Sequence, residues 1–134
     1  MTALPALAAV TSRIRVGTLV YDVDYRHPVI YARASATLHL IAGGRSEFGL
    51  GAGWLQSDYE QSGIPKDPAG VRVDRMEEAI SVLKGCFGDD RFSYQGTHYT
   101  ITGYDGLPKP VQRDRKSTRL NSSHTVLSRM PSSA

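Results

Sequence analysis

Apolar residues alternate between helical and extended spacing along the first part of the chain. Residues 3–10 are rich in alanine and leucine and predict a helix, and residues 14–20 carry the β-branched side chains that favour a strand. Pro28 suits the first turn of a second helix, because its φ is already helical. The apolar stripe predicted for this helix, with Arg33 pointing outward, consists of Ile30, Ala34, Thr37, Leu38 and Ile41.

A glycine-rich turn follows that helix. Gly43 and Gly44 predict its end, and residues 47–51 predict a second strand that leads into Ala52, Gly53 and Trp54. Glycines at the alternate positions 49, 51 and 53 leave the backbone without side chains. Such a backbone can approach a phosphate or a flat ring closely, and its N–H groups can bind anions.

A third helix and a hairpin are predicted downstream. The predicted helix ends near Lys84 and Gly85, and residues 92–94 and 98–101 flank a short loop in the manner of a β-hairpin. The apolar stripe of this helix consists of Val73, Met76, Ala79, Ile80 and Leu83. Its predicted solvated face consists of Asp74, Arg75, Glu77, Glu78 and Lys84. Strands that alternate with helices predict an α/β fold with a parallel sheet.

Several motifs in one order resemble the luciferase-like monooxygenase superfamily, and within it the oxidoreductases that use the deazaflavin coenzyme F-420. The runs are RIRVGTLVYDVDYRHPVIYARASATLHLIAGGRSEFGLGAGW, YEQSGIP, VRVDRMEEAISVLKG, FSYQGTHYTITG and LPKPVQ. The resemblance is continuous from about residue 3 to residue 112. It implies part of a (β/α)₈ TIM barrel, with residues 14–20 as the third strand, residues 47–51 as the fourth, flanking helices and a small β-hairpin. A site at the C-terminal ends of the strands is then expected.

The resemblance also implies cofactor-binding residues. Leu19 and Val20 match a bulge with a non-prolyl cis peptide behind a flavin-like ring, although the residues alone equally allow two buried strand positions. Asp22 is expected to line the site, with a solvated loop carboxylate as the alternative. Gly51 and the Ala52–Gly53 turn, together with Ser57, match positions that hold the phosphate-bearing side chain of the cofactor. An ordinary tight turn is the alternative for that segment.

Trp54 departs from one branch of the family. In the members that act on sugar phosphates its position holds a catalytic glutamate, and tryptophan cannot transfer a proton. Trp54 is therefore expected to stack on a ring, to wall the substrate pocket or to serve as a packing residue. The catalytic residues remain unknown from the sequence, and no Cys/His spacing suggests a metal site.

The last segment differs from the rest. Residues 114–134 resemble a translated sequencing adapter, so the chain divides into a barrel fragment, residues 1–113, and an artefactual, disordered tail. A natural Ser-rich flexible tail is the alternative. Basic residues exceed acidic ones in this tail by as much as the formal net charge of the whole chain, +3. The basic balance therefore gives no reason to expect a nucleic acid or a membrane as a partner.

The expected activity belongs to a longer parent enzyme. The parent is expected to be an oxidoreductase acting on paired donors. It would transfer a hydride between its cofactor and a small organic substrate, and the cofactor is expected to be F-420, with FMN as the alternative. The parent is expected to be cytoplasmic, which suits the single Cys86, and to be a homo-oligomer. Two further interpretations stay open, an S-adenosylmethionine-dependent methyltransferase based on the spacing of Glu47 and the glycines, and an inactive truncated product.

Overall fold

The computed structural model describes residues 2–110 with their side chains and the backbone of residues 116–119 and 125–129. Its helices are α1 (Ala3–Ala9), α2 (Pro28–Ile41), α3 (Gln56–Ser62) and α4 (Ala69–Cys86), with one 3₁₀ turn over Val23–Tyr25. Its strands are β1 (Val16–Gly17), β2 (Tyr21–Asp22), β3 (Ser46–Gly51), β4 (Phe92–Gln95), β5 (Thr100–Tyr104), β6 (Lys116–Arg119) and β7 (Thr125–Arg129).

The predicted parallel pairing is confirmed, although the first predicted strand is divided in two. β1 and β2 both pair with β3 in parallel, with Val16 opposite Ser46 and Asp22 opposite Gly51. Between them the Thr18 hydroxyl replaces the backbone ladder, since it donates to the Gly49 carbonyl at 3.3 Å and accepts from the Gly49 N–H at 3.4 Å. The chain therefore bulges out of the sheet directly before β2.

The other edge of β3 pairs with the tail. β7 is antiparallel to β3, and β6 is antiparallel to β7. Disorder was expected for residues 114–134, so these two strands differ from that expectation. An unpaired strand edge offers a row of N–H and C=O groups that pair readily with another segment, which explains the arrangement. The tail's artefactual origin stays a prediction, and its remaining residues lie outside the described part.

Helix α2 has the predicted bounds but a different buried face. His27 caps it through Nδ1, which accepts from the Val29 N–H at 3.3 Å, and the chain turns away at Gly43 and Gly44. Ile30, Thr37 and Ile41 of the predicted stripe are exposed. The buried face instead contains Tyr31, Ala32, Ser35, Ala36, Leu38 and His39. The small side chains among them permit α2 to pack on α4 and β3 at once, and this packing sets the buried face.

Helix α4 carries the predicted apolar stripe and continues two residues further than predicted. Met76, Ala79 and Leu83 are buried, and Val73 and Ile80 pack against the same core. The helix runs through Gly85 to Cys86. A Cβ at Gly85 would overlap the Phe92 ring, so this glycine serves packing.

The polar face of α4 is not simply solvated, so that prediction is wrong at two positions. Arg75 forms ion pairs with Asp24 and Asp67, and the Glu78 carboxylate accepts three N–H groups of the hairpin loop, at 2.8, 2.9 and 3.2 Å. Desolvation opposes ionisation of Glu78, but these three donors outweigh it and lower the pKa of the carboxyl. Helix α4 thus anchors both the loop after β2 and the β4–β5 hairpin.

Candidate functional site

A cleft of about 590 Å³ opens where β2 and β3 end. Because the two strands are parallel and adjacent, their carboxyl ends lie at one rim, and Asp22 is opposite Gly51. The bulge before β2 supplies Leu19 and Val20, and the turn after β3 supplies Gly53 and Trp54. The two strand ends singled out in the sequence therefore form one wall of a single cleft.

The rim of the cleft is apolar and exposed. Leu19 is 78 % exposed and Trp54 76 % exposed, and Val20 and Leu55 are also more than one third exposed. Large apolar side chains clustered at one opening are typical of a ligand site, since folding would otherwise bury them. The alternative that Leu19 and Val20 are buried strand residues is wrong, and Trp54 is not a buried packing residue.

The floor of the cleft is a hydrogen-bonded acidic cluster. The Tyr59 hydroxyl lies 2.9 Å from Asp22 Oδ2 and 2.8 Å from Asp24 Oδ2, while Asp22 Oδ1 accepts from the Asp24 N–H at 2.9 Å. Arg75 holds Asp24 by an ion pair. Asp22 is therefore not a solvated loop carboxylate, because it is half-buried and bonded through both oxygens.

Burial dominates the acid–base properties of this floor. It raises the pKa of Asp22, and the nearby charge of Asp24 acts in the same direction against the hydrogen bonds from the Asp24 N–H and Tyr59. Burial likewise raises the pKa of Tyr59, reinforced by hydrogen bonds to the two carboxylates. The cleft thus combines a neutral phenol with a carboxyl that is easier to protonate than an ordinary aspartate.

Gly53 is fixed by this cluster. Its φ is +72°, in the left-handed region, and a Cβ at this position would overlap the Tyr59 hydroxyl and Asp22 Oδ2. The side of the turn away from the cleft is held by Arg72, which is 8 % exposed and donates to the carbonyls of Ala52 at 3.0 Å and Gly53 at 2.7 Å. The groups that approach this glycine are the protein's own.

Five of the seven predicted cofactor-binding residues line the cleft: Leu19, Val20, Asp22, Gly51 and Gly53. Ala52 is buried beneath the turn, and Ser57, in the first turn of α3, lies outside the lining. The predicted non-prolyl cis peptide is present between Leu19 and Val20. The cofactor contacts of all seven residues stay predictions.

The sequence interpretation missed the residues that build the floor. Asp24, Tyr59 and Arg72 were not singled out, and Arg75 was assigned to a solvated face. The one available signal is the acidic pair in Asp22-Val23-Asp24 directly after a strand, with aromatic residues on both sides. Nothing local connects this pair with Tyr59, which is 37 residues from Asp22.

Comparison with known proteins decides the family. The family model of luciferase-like monooxygenases matches residues 1–121. The chain belongs to this family. The FMNH(2)-dependent dimethylsulfone monooxygenase of Pseudomonas putida is 32 % identical over 108 residues, which cover 81 % of this chain and 30 % of that protein. The match also decides against the S-adenosylmethionine-dependent methyltransferase alternative.

Solved structures agree with the fold. Monooxygenase RslO1 from Streptomyces bottropensis superposes with a TM-score of 0.74 and 27 % identity, covering 84 % of this chain and 33 % of RslO1. A coenzyme F420-dependent tetrahydromethanopterin reductase from Methanopyrus kandleri also gives a TM-score of 0.74, with 25 % identity, covering 83 % of this chain and 35 % of the reductase. The α/β fold is thus that of luciferase-like barrel proteins, and the chain spans about a third of the length of these relatives.

Within the described part of the chain, no helix has the length and apolar character needed to cross a membrane.

Proposed function

We propose that the cleft at the ends of β2 and β3 holds the ring of a flavin-type cofactor in an oxidoreductase that acts on paired donors and a small organic substrate. The observation that carries the proposal is the shared cleft itself, with the Leu19–Val20 bulge beside the Gly51–Gly53 turn. Its volume of about 590 Å³ falls in the range of about 300–1,000 Å³ typical of small-molecule sites.

The lining residues fit a flat, largely apolar ring. Leu19, Val20 and Trp54 present exposed apolar surface that a ring would cover, and the indole of Trp54 is suited to stacking. Gly51 adds no side chain to the opening. When bound, such a cofactor supplies hydride transfer, and the protein's contribution is to orient it and exclude water. The Ala52–Gly53 turn and Ser57 remain our candidates for contact with its phosphate-bearing side chain.

The cofactor is proposed to be the deazaflavin F-420, with FMN as the alternative. Each of the two cofactors has support, because one relative is named as FMNH(2)-dependent and one solved neighbour as coenzyme F420-dependent. The whole enzyme is proposed to be a cytoplasmic homo-oligomer with no nucleic-acid or membrane partner.

A chimera tests the assignment. Residues 3–112 replace the matching segment of the dimethylsulfone monooxygenase, and fluorescence titration measures the binding of FMN and of F-420. We expect saturable binding of one of them, weakened by Trp54→Ala, which removes the exposed indole proposed to stack on the ring. A folded chimera that binds neither cofactor would refute the proposal.

For the 134-residue chain itself we propose weak binding or none, and no activity. The apolar rim is open to solvent, and β3 pairs with a tail strand at its second edge. Saturable binding by a folded monomer in the same titration would contradict this expectation.

A further inference from the structure

The floor of the cleft contains more hydrogen-bond acceptors than one hydroxyl can serve. Tyr59 has a single hydroxyl hydrogen, yet its oxygen lies 2.9 Å from Asp22 Oδ2 and 2.8 Å from Asp24 Oδ2. Both distances are those of O–H···O hydrogen bonds. If both carboxylates were ionised, one of the two contacts would have no hydrogen of its own. A second hydrogen, on one of the carboxyl groups, satisfies both.

The surroundings of the two carboxyl groups decide which of them carries that hydrogen. The Asp24 side chain is 2 % exposed and ion-paired with Arg75, so its ionised form has a matched charge. Among the described residues Asp22 forms no ion pair, and the Arg72 guanidinium, which attracts it electrostatically, donates to the carbonyls of Ala52 and Gly53. Burial and the charge of Asp24 both raise the pKa of Asp22.

We propose that Asp22 is the proton donor of the cleft, and that Tyr59 positions it by turning its one hydroxyl hydrogen from Asp24 to Asp22 when Asp22 releases its proton. Asp22 and Tyr59 both line the cleft, so the proton that lies between Asp22 Oδ2 and the Tyr59 oxygen is at the wall of the space that a bound molecule enters. The inference rests on the proposed function only for the identity of the molecule that accepts the proton.

The step is a simple proton transfer. The O–H bond of Asp22 breaks, and a bond forms to a basic oxygen or nitrogen of the molecule in the cleft, without any change of oxidation state. The new Asp22 carboxylate then accepts the Tyr59 hydrogen, while Arg75 continues to hold Asp24. Water that enters the cleft afterwards returns the proton to Asp22.

Several ionisable groups surround Asp22. They come from its own loop and from α2, α3 and α4, and they are Asp24, Tyr25, Tyr31, Asp58, Tyr59 and Arg72. Tyr31 donates to the Asp22 carbonyl rather than to its carboxyl group, at 2.7 Å. Tyr59 is thus the hydroxyl group that bridges Asp22 and Asp24.

The test is a pH titration of the 134-residue chain labelled with ¹³C at the aspartate carboxyl carbons, observed by NMR without any cofactor. Asp22→Asn and Asp24→Asn assign the two signals. We expect the Asp22 signal to move at a pH above the ordinary aspartate value of about 3.9. Tyr59→Phe should shift the Asp22 titration upward, because its carboxylate loses a donor.

Tyr94→Phe is the matched control, since it removes a hydroxyl from the hairpin and should leave the Asp22 titration in place. An Asp22 signal that moves at or below the ordinary aspartate value overturns the proposal. So does a Tyr59→Phe variant that behaves like the control. If Tyr59→Phe does not fold, the Asp22 titration in the unmodified chain decides alone. The NMR experiment contains no cofactor, so a failure of the FMN and F-420 titrations would leave the Asp22 result intact. Likewise, a failure of the Asp22 titration would leave the cofactor assignment intact.

Discussion

Replacement of Gly53 by alanine tests the central packing statement about the site. Gly53 has φ +72°, and its missing side chain makes room for the contact between the Tyr59 hydroxyl and Asp22 Oδ2. A methyl group would have to displace one of these two groups. We therefore expect Gly53→Ala to destabilise the fold by more than its backbone conformation alone would.

The expected cost has two parts. A non-glycine residue in the left-handed region costs about 1–2 kcal/mol. Displacement of Tyr59 removes hydrogen bonds to carboxyl groups, and a bond of this kind contributes about 1.5–3 kcal/mol. The sum for Gly53→Ala is about 2.5–5 kcal/mol, since both costs are incurred at one position.

Gly63→Ala is the matched control, because Gly63 has φ +71° and a Cβ there meets nothing within 4 Å. Gly63→Ala therefore incurs the cost of a left-handed backbone without displacing any hydrogen bond. Urea unfolding followed by far-UV circular dichroism gives both free energies of unfolding, and their difference isolates the displaced hydrogen bonds. If the two variants lose the same free energy within about 0.5 kcal/mol, the assignment of Gly53 to this contact is refuted.

Three further outcomes follow from contacts outside the cleft, all measured by urea unfolding. Arg45→Met should cost about 2 kcal/mol, because the guanidinium donates to three carbonyls at the end of α1 and before β1, and solvent offsets part of that loss; an unchanged midpoint would contradict this. Glu78→Gln should lower the free energy of unfolding above the ordinary glutamate pKa of about 4.3. The difference from the unmodified chain should vanish as the pH falls through the lowered pKa of Glu78 in the folded state, and a difference that grows in acid would contradict this. Gly85→Ala should cost about 1–3 kcal/mol through overlap with the Phe92 ring, whereas Gly70→Ala in the open first turn of α4 should be neutral or stabilising.

Local signals predicted α1, α2, α4 and the hairpin because each of these elements follows a local rule, whereas α3 and the two tail strands were not predicted. Pro28 and the Gly43–Gly44 pair bound α2 as predicted, and the hairpin pattern placed β4 and β5. The parallel pairing followed from the alternation of helices and strands. The family motifs supplied what spacing could not, namely the cis peptide at Leu19–Val20 and the adjacency of the two strand ends.

Tertiary contacts decided the rest, and no local pattern contains them. The buried face of α2 is set by packing on α4 and β3, so Ile30 and Ile41 are exposed although they fit a helical stripe. Arg75 has the spacing of a solvated residue, but the acidic loop after β2 lies within its reach. A charged residue on a helix can serve as solvent-facing surface or as an anchor, and only the partner distinguishes the two roles.

Glycine at position 53 shows how far a motif can be interpreted. Alternate glycines at positions 49, 51 and 53 predicted that a phosphate or a flat ring approaches the backbone, and this stays a prediction; side chains do come close to Gly53. The approaching groups, however, are Tyr59 and Asp22, which belong to the protein itself. Missing side chains therefore indicate that something comes near, while its identity follows only from the residues that the fold brings there. At this cleft Gly53 makes room for the contact between Tyr59 and Asp22, so the acid faces the proposed cofactor space together with the backbone of Gly51 and Gly53.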